Sequence, residues 1–300
     1  MLSNKKFVIS LLALGACLPP LHAEEVDTLK KISTSKTIAI GHRESAMPFS
    51  YFNEQQEVIG YSQDLLQKIV DAIQTELKLP ELTVQKKLVT AQNRIPLILN
   101  GEISIECGVT TNNSKRREQV DFSNTFFIAS IRMLVKKGSS IKEVSNLVGK
   151  NVATTQGTTS EQLLNERNIG KDGNQQMRLI LAKEHGQSFL NLEQGKAVAF
   201  VMDDVLLASE RAKAKKPDAW EIVGPPLSQE AYGCILPKGD KRFKQVVDNA
   251  LEKLMVSGEI ATLYKKWFES PIPPKNVNLN YPMSEDMKVL FSHPNDKSFD

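Results

Sequence analysis

Apolar positions along the chain switch repeatedly between the spacing of strands and that of helices. Thr37-Ile-Ala-Ile-Gly-His42 reads as a strand with Arg43 at its carboxyl end, and Leu65, Leu66, Ile69, Val70 and Ile73 then recur at helical spacing after Gly60. Between them lies a loop with Pro48 and a hairpin turn, whose Phe49, Tyr51 and Phe52 suit a pocket wall. Residues 82–88 read as a second strand. Residues 90–93 open a helix that carries Arg94 near its start and closes at Gly101. Ile103 and Ile105 alternate with polar neighbours as a short strand, and the turn-forming run 108–113 leads to a helix that Ser114 can cap. Residues 126–135 form a long strand containing Arg132.

A second cycle begins at residues 151–155, a strand followed by a turn at Gly157 and a helix from Thr158. Thr158 and Glu161 have capping-box spacing there. Residues 177–182 read as a strand, Ser188 opens a helix after His185, residues 197–203 form a buried strand ending on Asp203, and 220–223 another strand. Pro225 and Pro226 mark a domain exit, and residues 232–236 return as a strand. Helices at 243–255 and 258–267 follow, Pro271-Ile-Pro-Pro274 ends them, and the rest is expected to be a tail.

Strands alternating with helices predict a parallel-rich α/β protein. Two cycles, divided near Arg132 and rejoined near Ala231, predict two discontinuous lobes joined by a two-strand hinge. Residues 24–131 and 232–300 form lobe 1 and residues 132–231 form lobe 2. In such sheets ligands bind beyond the carboxyl ends of strands. Arg43, Val109, Thr159, His185 and Asp203 all fall at such ends.

Composition narrows the setting. With 300 residues, 41% hydrophobic and 24% charged, the chain fits a soluble protein of one large domain or two. Residues 1–6 are short and basic and residues 7–16 apolar, the pattern of a secretion signal. The prolines at 19 and 20 favour cutting after Ala23; a lipidated Cys17 is the alternative. Lys5 and Lys6 leave with that segment, so the formal charge of +3 falls to +1, and nothing suggests a nucleic-acid surface. Cys107 and Cys234 then remain in an oxidising compartment, where a disulfide is expected, the alternative being two small buried hydrophobes. No metal site or cofactor is expected.

Arg116 sits in the first turn of its helix, where a cation opposes the helix dipole unless an anion shares the site. Its planar fork matches a carboxylate. The Thr111 hydroxyl and the Val109 carbonyl, expected to be free, add an acceptor set suited to an α-ammonium. If Arg43, Arg94 and Arg116 converge against Asp203, the surplus positive charge argues for an acidic amino acid. Asp203 among arginines is expected to stay ionised. Arg117, Arg132 and residues 211–216 read as solvated or locally paired.

The segments Gly41-His-Arg-Glu-Ser, Gly60-Tyr-Ser-Gln-Asp, Gln92-Asn-Arg-Ile-Pro, Glu106-Cys-Gly, Thr110-Thr-Asn-Asn, Gly157-Thr-Thr-Ser-Glu, Met202-Asp-Asp, Gln229-Glu-Ala-Tyr-Gly-Cys and Pro271-Ile-Pro-Pro-Lys-Asn resemble the amino-acid solute-binding proteins of ABC uptake systems, in their glutamate/aspartate-binding branch. The resemblance implies a two-lobed periplasmic-binding-protein-like fold of type II. It implies capture of L-glutamate or L-aspartate by hinge closure and delivery to an ABC transporter permease by a monomeric periplasmic protein. At matching positions it implies Arg116 and Thr111 on the α-carboxylate. The Val109 carbonyl, Thr111 and Asp203 would hold the α-ammonium, and Arg43, Arg94 and His185 the side-chain carboxylate, with Thr159 contributing from lobe 2. Two departures stand out: Ala91 and Val109 occupy positions where the family often has Ser.

Other classes are weaker. An enzyme on the same scaffold, such as a cyclic-acid dehydratase, needs a tuned acid or base, for which Glu44, His185 and Asp203 are the candidates. No Gly-x-Ser-x-Gly, metal cluster or phosphate loop accompanies them. A lipid-anchored sensor or adhesin would need Cys17 to be modified.

Overall fold

The computed structural model describes residues 27–299, so the signal segment 1–23 and Cys17 lie outside the described residues. The chain opens with the helix Thr28–Ser35, capped by the Asp27 side chain accepting from the Lys30 N–H at 2.9 Å, with Leu29 and Ile32 buried beneath it. The strand Thr37–His42 then enters a five-stranded sheet. Thr83–Leu88 and Ile105–Glu106 lie on either side of it in parallel, and Ile235–Pro237 and Val120–Phe122 complete the far edge. The helix Tyr61–Glu76 packs Leu65, Leu66, Ile69, Val70 and Ile73 inward, as its spacing predicts.

The second sheet is built from residues 127–232. Arg178–Ala182, Asn151–Thr155 and Ala199–Asp203 run parallel, while Phe127–Lys136 runs antiparallel to both of its neighbours, Ala199–Asp203 and Trp220–Val223. The sheets are therefore mixed rather than parallel-rich. The reason is the crossing between lobes. Phe127–Lys136 arrives from the first lobe and pairs antiparallel with Ala199–Asp203 over residues 131–135. Its first four residues pair instead with the returning strand Gln229–Tyr232, Phe127 opposite Tyr232 and Ser130 opposite Gln229. Where these two strands meet the first lobe they enter an aromatic cluster. Phe127 stacks on Tyr232 at 5.8 Å and on Phe268 at 5.0 Å, with Phe49 edge-on to both Phe127 and Tyr232.

The expected C-terminal tail is a folded element. Ser284 caps the helix Glu285–Ser292, and Met287, Leu290 and Phe291 are buried. This segment lies against both crossing strands: the Ile128 N–H reaches Met287 Sδ at 3.0 Å, and the Gln229 amide reaches Asp286 at 3.2 Å. Four apolar positions over one short helix, one of them the exposed Val289, give too little periodicity to read. Among the described residues no helix is long and apolar enough to cross a membrane.

Cys107 and Cys234 form a disulfide. It joins the residue after Ile105–Glu106 to the residue before Ile235–Pro237, two strands that already pair. The bond closes a loop of 127 residues that contains the entire second lobe. Replacing both cysteines by Ser is expected to lower stability by about 2–5 kcal/mol. Denaturant unfolding of the oxidised protein and the double variant checks this, and equal midpoints would refute it.

Candidate functional site

Six strand ends converge between the two sheets. Arg43 follows Thr37–His42, Ala91 and Arg94 follow Thr83–Leu88, and Val109 and Thr111 follow Ile105–Glu106. From the other lobe, Thr158 and Thr159 follow Asn151–Thr155, His185 follows Arg178–Ala182, and Met202 and Asp203 end Ala199–Asp203. Together with Arg116 these residues line one small space between the lobes. All eight residues singled out in the sequence line it. Arg43, Arg94, His185 and Asp203 are almost completely buried, and Arg116 and Thr159 partly.

Local sequence positions each of them. The Arg43 N–H donates to Ser50 Oγ at 2.9 Å, pinning the strand end. Arg116 lies in the single turn Ser114–Arg117, whose cap is Asn113 rather than Ser114: the Asn113 side chain accepts from the Arg116 N–H at 2.9 Å. The guanidinium turns back to donate to the Thr111 carbonyl at 2.8 Å. Thr159 is the first residue of the helix Thr159–Asn168, capped by Thr158. The Glu161 carboxylate bonds the Gly157 N–H at 2.6 Å, one residue earlier than a capping box would place it. The next helix begins at His185, three residues before the expected Ser188, with Glu184 at its N-cap.

Several contacts join the lobes across this space. Arg43 Nη2 forms a buried ion pair with Glu184 at 2.9 Å, and Ser45 Oγ donates to the same carboxylate oxygen at 2.8 Å. Arg116 Nη2 donates to the Gly157 carbonyl at 3.3 Å. Gly157 has a φ of +77°, and a Cβ there would stand 2.8 Å from the backbone of Gln92, so only glycine allows this approach. A second close approach occurs at Gly108, where a Cβ would fall 2.0 Å from the Glu106 carboxylate lying beneath it.

The polar atoms divide into satisfied and unsatisfied sets. Arg43 Nε and Nη1, Arg94 Nε, His185 Nε2 and Asp203 Oδ1 are buried without a protein partner. His185 Nδ1 is bonded to Thr155 Oγ1 at 2.9 Å, and Thr155 in turn to Ser188. Burial, the Arg116 charge and the Arg43 charge pull the pKa of Arg94 down to about 9, so it is still a cation at neutral pH. Burial lowers that of Arg116, opposed by Glu230, Asp203 and Glu106. His185 is held well below 6.5 by burial and by Arg43, Lys213 and Arg94, and is therefore neutral.

Three expectations need correction. The Val109 carbonyl is not bare: Arg94 Nη1 approaches it at 3.4 Å, which leaves one of its two lone pairs. Asp203 does not simply stay ionised. Burial, then Glu230, push its carboxyl well above the usual range, against the Tyr232 hydroxyl and Arg116. Finally, the three arginines do not face Asp203 alone. Glu184 pairs with Arg43, and Glu106 and Glu230 act electrostatically on Arg116. Net charge thus says little by itself, and the informative feature is which donors remain unpartnered. Glu184 and Glu230 went unread because their partners lie 141 and 71 residues away.

Residues 38–270 match the bacterial extracellular solute-binding proteins, family 3. The chain is 54% identical over 271 residues, 90% of its length and 89% of the other's, to the glutamate/aspartate import solute-binding protein of Escherichia coli (strain K12). It is 53% identical over 281 residues, covering 93% and 92%, to an L-glutamate/L-aspartate-binding protein of Pseudomonas aeruginosa. Among solved structures it resembles an ancestral arginine-binding protein bound to arginine, at TM-score 0.70 and 27% identity over 78% of this chain and 98% of that one. It also resembles an ancestral amino acid-binding protein described as a precursor of cyclohexadienyl dehydratase, at TM-score 0.69 and 25% identity over 81% and 100%.

The buried neutral His185 has a consequence for stability. Below about pH 6.5 the unfolded chain binds a proton at this position that the folded ligand-free protein refuses, so stability falls with pH there. Relative to His185→Gln, the wild-type protein is expected to lose up to about 1.4 kcal/mol per pH unit below that point. Asp203 titrates in the opposite sense but is common to both proteins and cancels in the difference. Parallel melting curves between pH 7.5 and 5 check this; curves that stay a constant distance apart would contradict it.

Proposed function

The chain belongs to the bacterial extracellular solute-binding proteins, family 3, and from that premise we propose that it captures L-glutamate and L-aspartate between its lobes for delivery to an ABC permease. One observation carries the choice of ligand. Arg43 Nε and Nη1 and Arg94 Nε are buried donors without partners, and His185 Nε2 and Asp203 Oδ1 are left unbonded in the same space. A ligand with two carboxylates and one ammonium satisfies both sets. A neutral amino acid would leave guanidinium groups buried and unpaired, at a cost of several kcal/mol.

In this reading Arg116 and the Thr159 backbone, at the start of its helix, hold the α-carboxylate. Asp203, the Val109 carbonyl and the Thr111 hydroxyl take the α-ammonium. Arg43, Arg94 and the neutral His185 take the side-chain carboxylate. An ammonium against Asp203 Oδ1 would restore that carboxyl's charge. Ala91 and Val109 line the space without hydroxyls, so the side-chain and ammonium ends each lack a bond that Ser would supply, about 1 kcal/mol apiece.

Closure is a hinge rotation about the pair Phe127–Lys136 and Gln229–Tyr232, with residues 24–131 and 232–300 on one side and 132–231 on the other. Contacts such as Arg43 to Glu184 exist only when the lobes meet, so a ligand touching both lobes favours the closed state. The relatives named above are binding proteins, and we read this chain as a monomeric periplasmic binder, exported by residues 1–23, rather than an enzyme.

L-Glutamate and L-aspartate are expected to raise the melting temperature, by about 2.7 kcal/mol of stabilisation at a hundredfold excess over Kd, and to compact the protein in small-angle scattering. Arg116→Ala is expected to abolish binding of every amino acid, whereas Arg94→Ala weakens L-glutamate more than L-glutamine. Equal losses for both ligands in calorimetry would overturn the assignment of Arg94 to the side-chain carboxylate.

A further inference from the structure

The returning hinge strand carries polar groups that do not line the cavity but stand directly behind residues that do. Ser228, Glu230 and Tyr232 alternate along the chain and so share one face of it. Glu230 is buried, and both of its carboxylate oxygens accept hydrogen bonds from hydroxyls: Oε2 from Thr159 at 2.8 Å, and Oε1 from Ser228. Two residues along, the Tyr232 hydroxyl donates to Asp203 Oδ2.

A threonine hydroxyl has one proton and two lone pairs. The Thr159 proton is committed to Glu230, so toward the cavity its oxygen offers lone pairs only. Asp203 Oδ2 is occupied by Tyr232, so Oδ1 is the oxygen left for a guest. The hinge strand thereby leaves the Thr159 oxygen as an acceptor toward the cavity. The opposite wall, with Arg43, Arg94 and Arg116, would by itself take any dicarboxylic acid.

We propose that Glu230 is a positioning residue of the site: by holding the Thr159 proton on the hinge strand, it presents the Thr159 oxygen to the cavity as an acceptor for an α-ammonium, beside Asp203, whose Oδ2 is held by Tyr232. Dicarboxylic acids lacking the amino group are thereby disfavoured, because they would leave the Thr159 oxygen facing them without a donor. The proposal rests on the reading of the site given above. It also makes the hinge strand a direct participant in recognition, since Glu230 lies opposite Ala129 in the strand pair that crosses between the lobes.

Titration calorimetry of the full-length mature protein with L-glutamate and with glutarate tests it, using the wild type, Glu230→Gln and Thr159→Val. In Glu230→Gln the side-chain amide can donate, which frees the Thr159 proton to turn into the cavity. L-Glutamate binding is expected to weaken about tenfold or more while glutarate binding holds or tightens, so that the glutamate-to-glutarate preference collapses. Thr159→Val removes the relay without altering the hinge, and is expected to shift the preference in the same direction. The double variant should be no less selective than the more affected single one. A purely structural role for Glu230 would weaken both ligands alike. Wild-type binding with an unchanged preference in both variants overturns this proposal alone. A wild type that binds neither ligand overturns the underlying reading and this proposal with it.

Discussion

Burying three guanidinium groups around one small space is the constraint that organises this molecule. Each loses the hydration of a cation, and a buried charge is tolerated only where partners replace the water. The chain supplies part of that replacement from far away in sequence. Glu184 comes from the opposite lobe to Arg43, the Thr111 and Gly157 carbonyls meet Arg116 from either side, and Val109 turns its carbonyl toward Arg94. Each of these partners is placed by a strand ending at the facing edges of the two sheets. The remaining donors, Arg43 Nε and Nη1 and Arg94 Nε, are left for a guest.

The same constraint explains why the hinge is chemically loaded. A connection between lobes needs only two strands, and these are Phe127–Lys136 and Gln229–Tyr232. Yet one end of the pair is set in stacked aromatic rings, and the other strand carries Glu230 and Tyr232 against Thr159 and Asp203. Rigid aromatic packing at one end and a hydrogen-bonded carboxylate beside the site therefore share the same strand. The C-terminal helix Glu285–Ser292, resting on Ile128 and Gln229, supports that pair from a third direction.

Much of this was legible in the residues. Arg94 and Arg116 stood out because each sits at the start of a helix, where a cation opposes the dipole, and Arg43 because it follows a strand at the edge where ligands bind. Periodicity located the strands, and the strand ends pointed to the residues that line one cavity. The carboxylates were not legible in the same way. Glu184 precedes His185 and Glu230 lies in a strand, positions where acids are ordinary, and only the fold reveals what they face. The state of Asp203 was misjudged for a related reason: its arginine neighbours could be inferred, but Glu230 beside it could not. The short C-terminal helix escaped because its burial depends on the hinge strands beneath it rather than on its own pattern.

The bond between Cys107 and Cys234 changes what counts as local in this chain. Glu106 and Ile235 are neighbours across the first sheet, though the backbone between them makes the whole second lobe. Once the sulfurs are joined, those two residues are connected through the cysteines alone, and the entropy of closing that long excursion no longer weighs on the sheet. The second lobe then behaves topologically as a guest inserted into a finished host. Its assembly and the host's become separable events, in either order, for a protein whose working parts come from both.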